Sequence, residues 1–156
     1  MDDGVDAAAS RMSDPHSYFN RMRRGEVTPP PVATLLGGTI RAVDAEAGTL
    51  HADYVGAPGF ANPAGKVQGG MLCAMLDDLT ASLVDATLNA GEAVATLNLN
   101  VSFLRPAEPG SLQGEAQLIR RGRDICYVSA TLSQAGNSVA TAMATCKLTQ
   151  LTKRQP

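Results

Sequence analysis

The chain has 156 residues, 44% of them hydrophobic, and a formal net charge of −2. This size and composition suit one folded domain and exclude a disordered chain, while the absence of a basic run excludes nucleic acid as a partner. No apolar stretch reaches 18 residues, so neither a membrane span nor a membrane partner is predicted. The acidic N-terminus has no apolar signal core, which predicts a cytoplasmic protein.

Residues 1–35 are predicted to form an N-terminal extension, of which residues 1–12 carry no helix or strand pattern. A short helix is predicted over residues 14–24, because Asp14 is a favourable N-cap residue and a proline follows it. A glycine comes directly after this helix and is expected to end it. The three prolines at 29–31 predict a stiff, extended linker to the folded domain.

The folded domain is predicted to occupy residues 36–150, followed by a tail over residues 151–156. Two strands come first, then one long helix over residues 71–88, and then four strands. One helix cannot cover both faces of six strands, so we predict an α+β fold in which a curled antiparallel sheet wraps around the helix. Its outer face and edges favour an oligomer. The strands are predicted at residues 38–43, 49–55, 94–104, 111–120, 125–133 and 138–148.

The long helix is apolar around most of its circumference, which is typical of a helix buried on nearly all sides. Asp77 lies on an apolar face of it, where an unpaired carboxylate is costly, so Asp77 is the candidate functional acid. Asp78 and Asp85 share a different edge, which is predicted to be accessible to water. The main core stripe is predicted to consist of Leu72, Leu76, Leu79 and Leu83.

The double glycine Gly69-Gly70 precedes the predicted helix, whose first backbone N–H groups have no partner within the helix. Such a helix start binds negative oxygens, and together with a carboxylate it suggests acyl transfer to water. The structural alternative is a tight loop-to-helix turn without a ligand. In the strand at 94–104, strict alternation predicts that Leu97 faces the core and that Thr96 lies on the opposite, polar face.

The other residue types narrow the chemistry to carboxylates and hydrogen-bond donors. Three cysteines without CxxC spacing predict reduced thiols, and the helical Cys73 is interpreted as structural rather than nucleophilic. Neither a zinc cluster nor a GxSxG, Walker A or GxGxxG motif is present, so no metal or nucleotide cofactor is predicted. His51 lies on an alternating strand and is predicted to face solvent. The other two cysteines are Cys126 and Cys146.

A set of motifs in this order resembles the phenylacetate-degradation-type acyl-CoA thioesterases of the 4-hydroxybenzoyl-CoA thioesterase superfamily, which have the hotdog fold. The resemblance covers residues 36–150. The motif residues are Asn62, Gln68, Gly69-Gly70 and the helical Asp77, then Thr96 on a strand that ends in Pro106-Ala107, and the turn Gly122-Arg123.

The resemblance implies hydrolysis of an acyl-CoA thioester, with coenzyme A as part of the substrate and no separate cofactor. The Gly69 N–H would hold the thioester carbonyl oxygen, with Gly70 beside the substrate, and Asn62 would position the thioester or the water. Asp77 from the other subunit would act as general base or nucleophile, and Thr96 would hydrogen-bond the water or the carboxylate. A homodimer is the implied minimal unit and a homotetramer the expected assembly. The candidates for binding the phosphates of coenzyme A are Arg120, Arg121 and Arg123.

Structural alternatives exist for these residues too: turn chemistry for Asn62, an exposed polar position for Thr96 and a solvated hairpin end for the arginines. The family usually has histidine where this chain has Gln68, and glutamine cannot titrate near neutral pH. A hotdog dehydratase or hydratase is disfavoured, because the histidine expected five residues after the acid is Ser82. A non-enzymatic acyl-CoA-binding protein is the other alternative, although residues 1–35 are too short for a helix-turn-helix regulator.

Overall fold

The computed structural model describes residues 14–151, which contain six strands and three α-helices. The antiparallel strands form one sheet in the order β1-β2-β4-β5-β6-β3, curled around the long helix α3. This is the predicted α+β hotdog architecture. The helices are α1 (Tyr18–Arg23), α2 (Pro31–Leu35) and α3 (Gly69–Asp85). The strands are β1 (Thr39–Asp44), β2 (Thr49–Gly56), β3 (Glu92–Phe103), β4 (Gly110–Arg121), β5 (Ile125–Gln134) and β6 (Asn137–Gln150).

The concave face of the sheet buries α3, which contacts all of the strands from β2 to β6. The four leucines of the predicted stripe are all buried, so that prediction is confirmed. Full burial of such a side chain contributes about 1.5–3 kcal/mol, which makes this stripe a main source of stability. Inward residues of β2, β4 and β5 alternate with exposed ones and complete the core.

Gly114 in β4 allows α3 and β2 to pack closely against the sheet. A Cβ atom added at Gly114 would lie 2.8 Å from Leu79 Cδ2 and 3.2 Å from Tyr54 Cε2. Both of those side chains are fully buried in the close-packed core. The small residue at this position therefore sets the distance between helix and sheet.

The N-terminal region differs from its predicted form. Helix α1 begins at Tyr18, and its N-cap is Ser17, whose side chain accepts the N–H of Asn20. Asp14 instead accepts the N–H of His16 and, at 2.6 Å, the N–H of Ala90 in the loop after α3. The acid that was predicted to cap the helix thus ties the N-terminal segment to the folded domain.

The linker was predicted to contain all three prolines at 29–31, but Pro31 instead occupies the first position of α2, where proline fits a helix well. Helix α3 spans Gly69–Asp85 instead of residues 71–88, so the double glycine lies inside its first turn. The predicted strand bounds agree with the structure to within two residues at each end. The fraying predicted for residues 1–12 lies outside the described residues, as does most of the tail.

Among residues 14–151, no helix combines the length and the hydropathy that a membrane span needs.

Replacing Gly114 by alanine is expected to destabilise the fold by about 1–3 kcal/mol, because the new methyl group overpacks the contact with Leu79. Gly59→Ala is the matched control, since a Cβ at Gly59 meets no atom within 4 Å. Chemical denaturation of both variants measures the effect. Equal stabilities would mean that the helix-to-sheet distance is not limited at this position.

Candidate active site

The first turn of α3 presents backbone donors without acceptors. The loop before it is fixed by hydrogen bonds from Gln68 N–H to the Phe60 carbonyl and from Val67 N–H to the Ala107 carbonyl, both 2.8 Å long. Within residues 14–151, the N–H groups of Gly69 and Gly70 make no hydrogen bond. Since a helix N-terminus carries partial positive charge, these two groups form a binding position for a negative or polarised oxygen.

The surroundings of the two glycines differ. A Cβ at Gly69 would lie 3.1 Å from the ring of Phe103 at the end of β3, whereas one at Gly70 would meet no atom within 4 Å. Gln68 caps α3 with its carbonyl only, because its exposed side chain makes no hydrogen bond to the described residues. Phe103 thus covers one side of the helix start, and the Gln68 amide is free to donate on another.

Asn62 organises the loop in front of the helix. Its Oδ1 accepts the N–H groups of Ala64 at 2.9 Å and Lys66 at 3.1 Å, which confirms the turn-chemistry interpretation for this oxygen. Its Nδ2 has no acceptor among the described residues, so the amide nitrogen is still available as a donor. The loop interaction therefore orients the side chain without using its donor.

Asp77 and Thr96 are in direct contact: the Thr96 hydroxyl donates to Asp77 Oδ1 at 2.7 Å. The contact depends on a β-bulge, because Thr96 pairs with Cys146 whereas Asn98 pairs with Thr145, which leaves Leu97 as the extra residue. Strict alternation was therefore the wrong prediction for this part of β3. The bulge turns Thr96 towards α3 and leaves Leu97 58% exposed.

The other two acids of α3 are more desolvated than predicted. Tyr54 is fully buried and donates its hydroxyl to Asp78 Oδ2 at 2.8 Å. Burial raises the pKa of Asp78, although the Tyr54 hydrogen bond acts in the opposite direction. Burial, and next the negative charge of Asp78, raises the pKa of Asp85 to about 7. Both side chains are partly exposed and line a cavity, so the edge is partly desolvated and still within reach of water.

Tyr54 is a buried polar residue on the other side of α3 that the sequence analysis missed, although the sequence contains a signal for it. Tyr54 occupies an inward position of β2, between the more exposed Asp53 and Val55. A buried tyrosine hydroxyl needs a hydrogen-bond partner, and an inward position on β2 implies a partner on an element that packs against the sheet. Without the fold, however, the sequence does not identify Asp78 as that partner.

The three candidate arginines lie at the hairpin between β4 and β5. Arg121 donates from Nε to Thr87 Oγ1 at 3.1 Å and from Nη1 to the Gly122 carbonyl at 2.6 Å. Arg123 Nε lies 3.5 Å from Asp124 Oδ2, and the exposed Arg120 side chain makes no hydrogen bond or ion pair with residues 14–151. Thr87 follows the C-terminal end of α3, so the arginines lie far from Gly69 of the same chain.

The thiols and histidines of the described residues are poorly placed for catalysis. Burial raises the pKa values of Cys73, Cys126 and Cys146, which disfavours their thiolates. His51 is exposed, as predicted, with Nδ1 3.7 Å from Glu115 Oε1. In residues 14–151, no group of three or more His, Cys, Asp or Glu side chains is arranged to hold a metal ion.

A model of the acyl-CoA thioesterase N-terminal domain family matches residues 57–147 of this chain. A solved structure of a proposed thioesterase from Ralstonia eutropha JMP134, a phenylacetic acid degradation-related protein, is 62% identical. The similarity covers 83% of this chain and 98% of that one, with a TM-score of 0.83. The PaaI protein of the E. coli phenylacetic acid degradation operon is 20% identical, with coverages of 83% and 91% and a TM-score of 0.72, and it supports the fold alone.

The proposed esterase Rv1847 of Mycobacterium tuberculosis is 36% identical over 62 residues, which cover 38% of this chain. The matched segment spans 44% of that esterase, so less than half of its length is represented.

Asp85→Asn is expected to stabilise the fold increasingly as the pH rises from about 4 to about 8. The folded chain keeps the Asp85 proton up to a pKa of about 7, whereas the unfolded chain loses it near 3.8, so deprotonation costs stability in this interval. The shift corresponds to at most about 4 kcal/mol. Urea denaturation at several pH values, with the exposed Asp124→Asn as control, measures it. A pH-independent difference between Asp85→Asn and wild type would contradict the assigned desolvation.

Proposed function

This chain belongs to the acyl-CoA thioesterase family, and we propose that it hydrolyses an acyl-CoA thioester to a free acid and coenzyme A. The observation that carries the proposal is the pair of features on α3. Its first turn has two backbone donors without acceptors, and its middle has a carboxylate, Asp77, held by the Thr96 hydroxyl. An oxyanion-binding group and an oriented base are what thioester hydrolysis requires.

In the proposed site, the thioester carbonyl oxygen accepts the Gly69 N–H at the start of α3. Gly70 has open space beside it, so the thioester group of the substrate can approach the helix start. The free donors of Asn62 Nδ2 and the Gln68 amide lie next to the same helix start and are proposed to orient the thioester. These groups stabilise the negative charge that develops on the oxygen when the carbonyl carbon becomes tetrahedral.

Asp77 is proposed to act as the general base. Thr96 occupies one carboxylate oxygen, so the other can accept a proton from water. The water oxygen forms a bond to the carbonyl carbon, the carbon–sulfur bond breaks, and the proton passes from Asp77 to the departing thiolate. Gln68 takes no part in proton transfer, because an amide does not titrate in this range.

One chain alone cannot assemble this site. Gly69 and Asp77 are eight residues apart on one helix, which places them about 12 Å apart along its axis. A single carbonyl group cannot contact both, so we propose that Gly69 of one copy works with Asp77 of a second copy. The open edge of β3, with exposed Leu97 and Phe103, is the surface proposed to join the two copies.

Further contacts of the substrate and the assembly follow from the same arrangement. The hairpin arginines lie near the C-terminal end of α3, so we propose that they bind coenzyme A phosphates at a site formed with a second copy.

The outer sheet face exposes Tyr127 and Met143 on adjacent strands, and we propose that two dimers pack through this face as a homotetramer.

Asp77→Asn is expected to reduce kcat by about 10²–10⁴, because the amide cannot accept a proton from water. The fold should persist, since an asparagine oxygen still accepts the Thr96 hydrogen bond. Steady-state hydrolysis of a panel of aliphatic and aromatic acyl-CoA thioesters measures the loss. A single turnover in ¹⁸O-labelled water should label the released acid and leave Asp77 unlabelled. Turnover near the wild-type rate would exclude the proposed base, and label in Asp77 would indicate a nucleophile.

Gly69→Pro is expected to remove the oxyanion donor with little change to the backbone, since proline is favoured at the first position of a helix. Gln68, at φ −59° and ψ 135°, already has the conformation that a following proline requires. We expect kcat to fall by about 10²–10³. Gly69→Ala is the matched control, because it adds a similar contact with Phe103 but keeps the N–H.

Mixing Gly69→Pro with Asp77→Asn chains tests the shared site directly. A heterodimer has one site with both groups intact, so an equimolar mixture should recover about a quarter of wild-type activity. Subunit exchange is verified separately by native mass spectrometry. If exchange occurs without recovery, the two groups do not work across a dimer interface.

A further inference from the structure

A cavity of about 480 Å³ lies on the side of α3 that faces β1 and β2. Its volume falls within the usual range for small-molecule sites, about 300–1,000 Å³. The N-terminal segment covers it through α1 and the prolines before α2. Apolar walls come from Phe19 and Met22 of α1 and from Ile40 and Leu50 of the sheet. Such a pocket, apolar with a few polar groups, has the general composition of a ligand site.

The polar wall of this cavity consists of Asp78, Ser82 and Asp85, which follow one another along a single stripe of α3. Tyr54 donates to Asp78 Oδ2 and leaves the other Asp78 oxygen free. Within residues 14–151, the Asp85 carboxyl group and the Ser82 hydroxyl make no side-chain hydrogen bond or ion pair, and their oxygens are accessible to solvent in the cavity. The wall therefore offers hydrogen-bond acceptors that the protein itself does not satisfy.

The cavity is distinct from the proposed thioesterase site. Asp78 follows Asp77 in sequence, but successive helix residues point about 100° apart. Asp77 faces the β3 edge through Thr96, whereas Asp78 faces β2 through Tyr54. Gly69 lies at least nine residues before Asp78, Ser82 and Asp85 on α3, which is about 13 Å along the helix axis. The proposed hydrolysis uses none of the cavity's side chains.

The charges around the cavity determine which ligand it favours. The charged or titratable side chains that line it are Tyr18 and Arg23 from α1, Tyr54 from β2, and Asp78 and Asp85 from α3. Tyr18 and Arg23 are exposed, so the Arg23 charge is screened by water at the rim. Inside, two carboxyl groups repel each other when both are ionised. A cation between them would supply donors and remove this repulsion.

We propose that this cavity binds a small organic amine, with its ammonium group against Asp78 and Asp85 and its apolar body against Phe19, Met22 and Ile40. This site lies beyond the proposed hydrolase function and does not depend on it. The apolar walls select a hydrocarbon or aromatic body over a hydrated inorganic cation, because only an organic body gains from burial there. The two carboxyl groups select an amine over an alcohol or a carboxylate of the same length.

The test compares three ligands of equal size, hexylamine, 1-hexanol and hexanoate, by titration calorimetry on the wild-type protein at pH 8. Hexylamine is expected to bind at least about tenfold more tightly than hexanol, with hexanoate the weakest. In Asp85→Asn, hexylamine should lose about tenfold in affinity while hexanol changes less than about twofold. Asp124→Asn, an exposed acid outside the cavity, should leave all three unchanged.

The pH dependence gives a second readout. Hexylamine stays protonated, whereas Asp85, with a pKa of about 7, gains a proton as the pH falls from 8 to 6. The amine affinity should then fall by up to about tenfold in wild type and stay nearly constant in Asp85→Asn. The other carboxyl group of the cavity is Asp78, whose pKa burial also raises, so the difference between wild type and Asp85→Asn isolates the contribution of Asp85.

Several outcomes would overturn the proposal. Equal binding of amine and alcohol, tightest binding of hexanoate, or no binding of hexylamine up to about 10 mM would each exclude an amine site. Repeating the titration with Asp77→Asn separates this site from the active site. Unchanged hexylamine affinity is expected there, and a loss would place the amine in the thioesterase site. The titrations need no catalytic activity, so their result tests the amine site independently of the proposed hydrolysis.

Discussion

The apolar circumference of α3 is the constraint on which the rest of this structure depends. A helix of this kind cannot lie on a flat sheet, because most of its apolar side chains would still face water. Six antiparallel strands can curl far enough to cover it, and Gly114 lets them approach closely. The curl leaves the helix more open near the two edges of the sheet, and the acidic side chains of α3 lie towards those edges.

The three carboxyl groups of α3 are chemically different because the two edges differ. Near β3, Asp77 meets a threonine hydroxyl and the surface proposed to join a second copy. Near β1 and β2, the N-terminal segment covers Asp78 and Asp85, and burial raises the pKa of both. Neighbouring acids on one helix thereby differ: one is held by a neutral hydroxyl near β3, and the other two are desolvated near β1 and β2.

Much of the fold could be predicted from the sequence, because strong signals agreed with one another. The leucine stripe, the turns rich in glycine and proline, and the alternation of β2, β4 and β5 all indicate one sheet around one helix. The N-terminal cap was predicted wrongly, since both Asp14 and Ser17 are good cap residues and only tertiary contacts decide between them. Asp14 is used by Ala90, which is distant in sequence.

The site was harder to predict for a different physical reason. The motif residues indicate Gly69 and Asp77 as candidates, but side-chain direction on β3 depends on an unpaired residue that no propensity indicates. The same holds for β4, where a register shift around Ile119 precedes the exposed Arg121, whose side chain hydrogen-bonds Thr87. The hydration of Asp78 and Asp85 also depended on the segment that folds over them, which periodicity within the helix cannot describe.

The bulge at Leu97 has a consequence for how relatives of this chain are compared and how they diverge. In a regular strand, a change of one side chain alters one position on one face. Here, loss of a single residue would shift the pairing of the preceding part of β3, and a different residue would then face Asp77. Insertions and deletions at this point therefore exchange the neighbour of the acid without any substitution. A gap-free alignment through β3 would pair residues that occupy opposite faces.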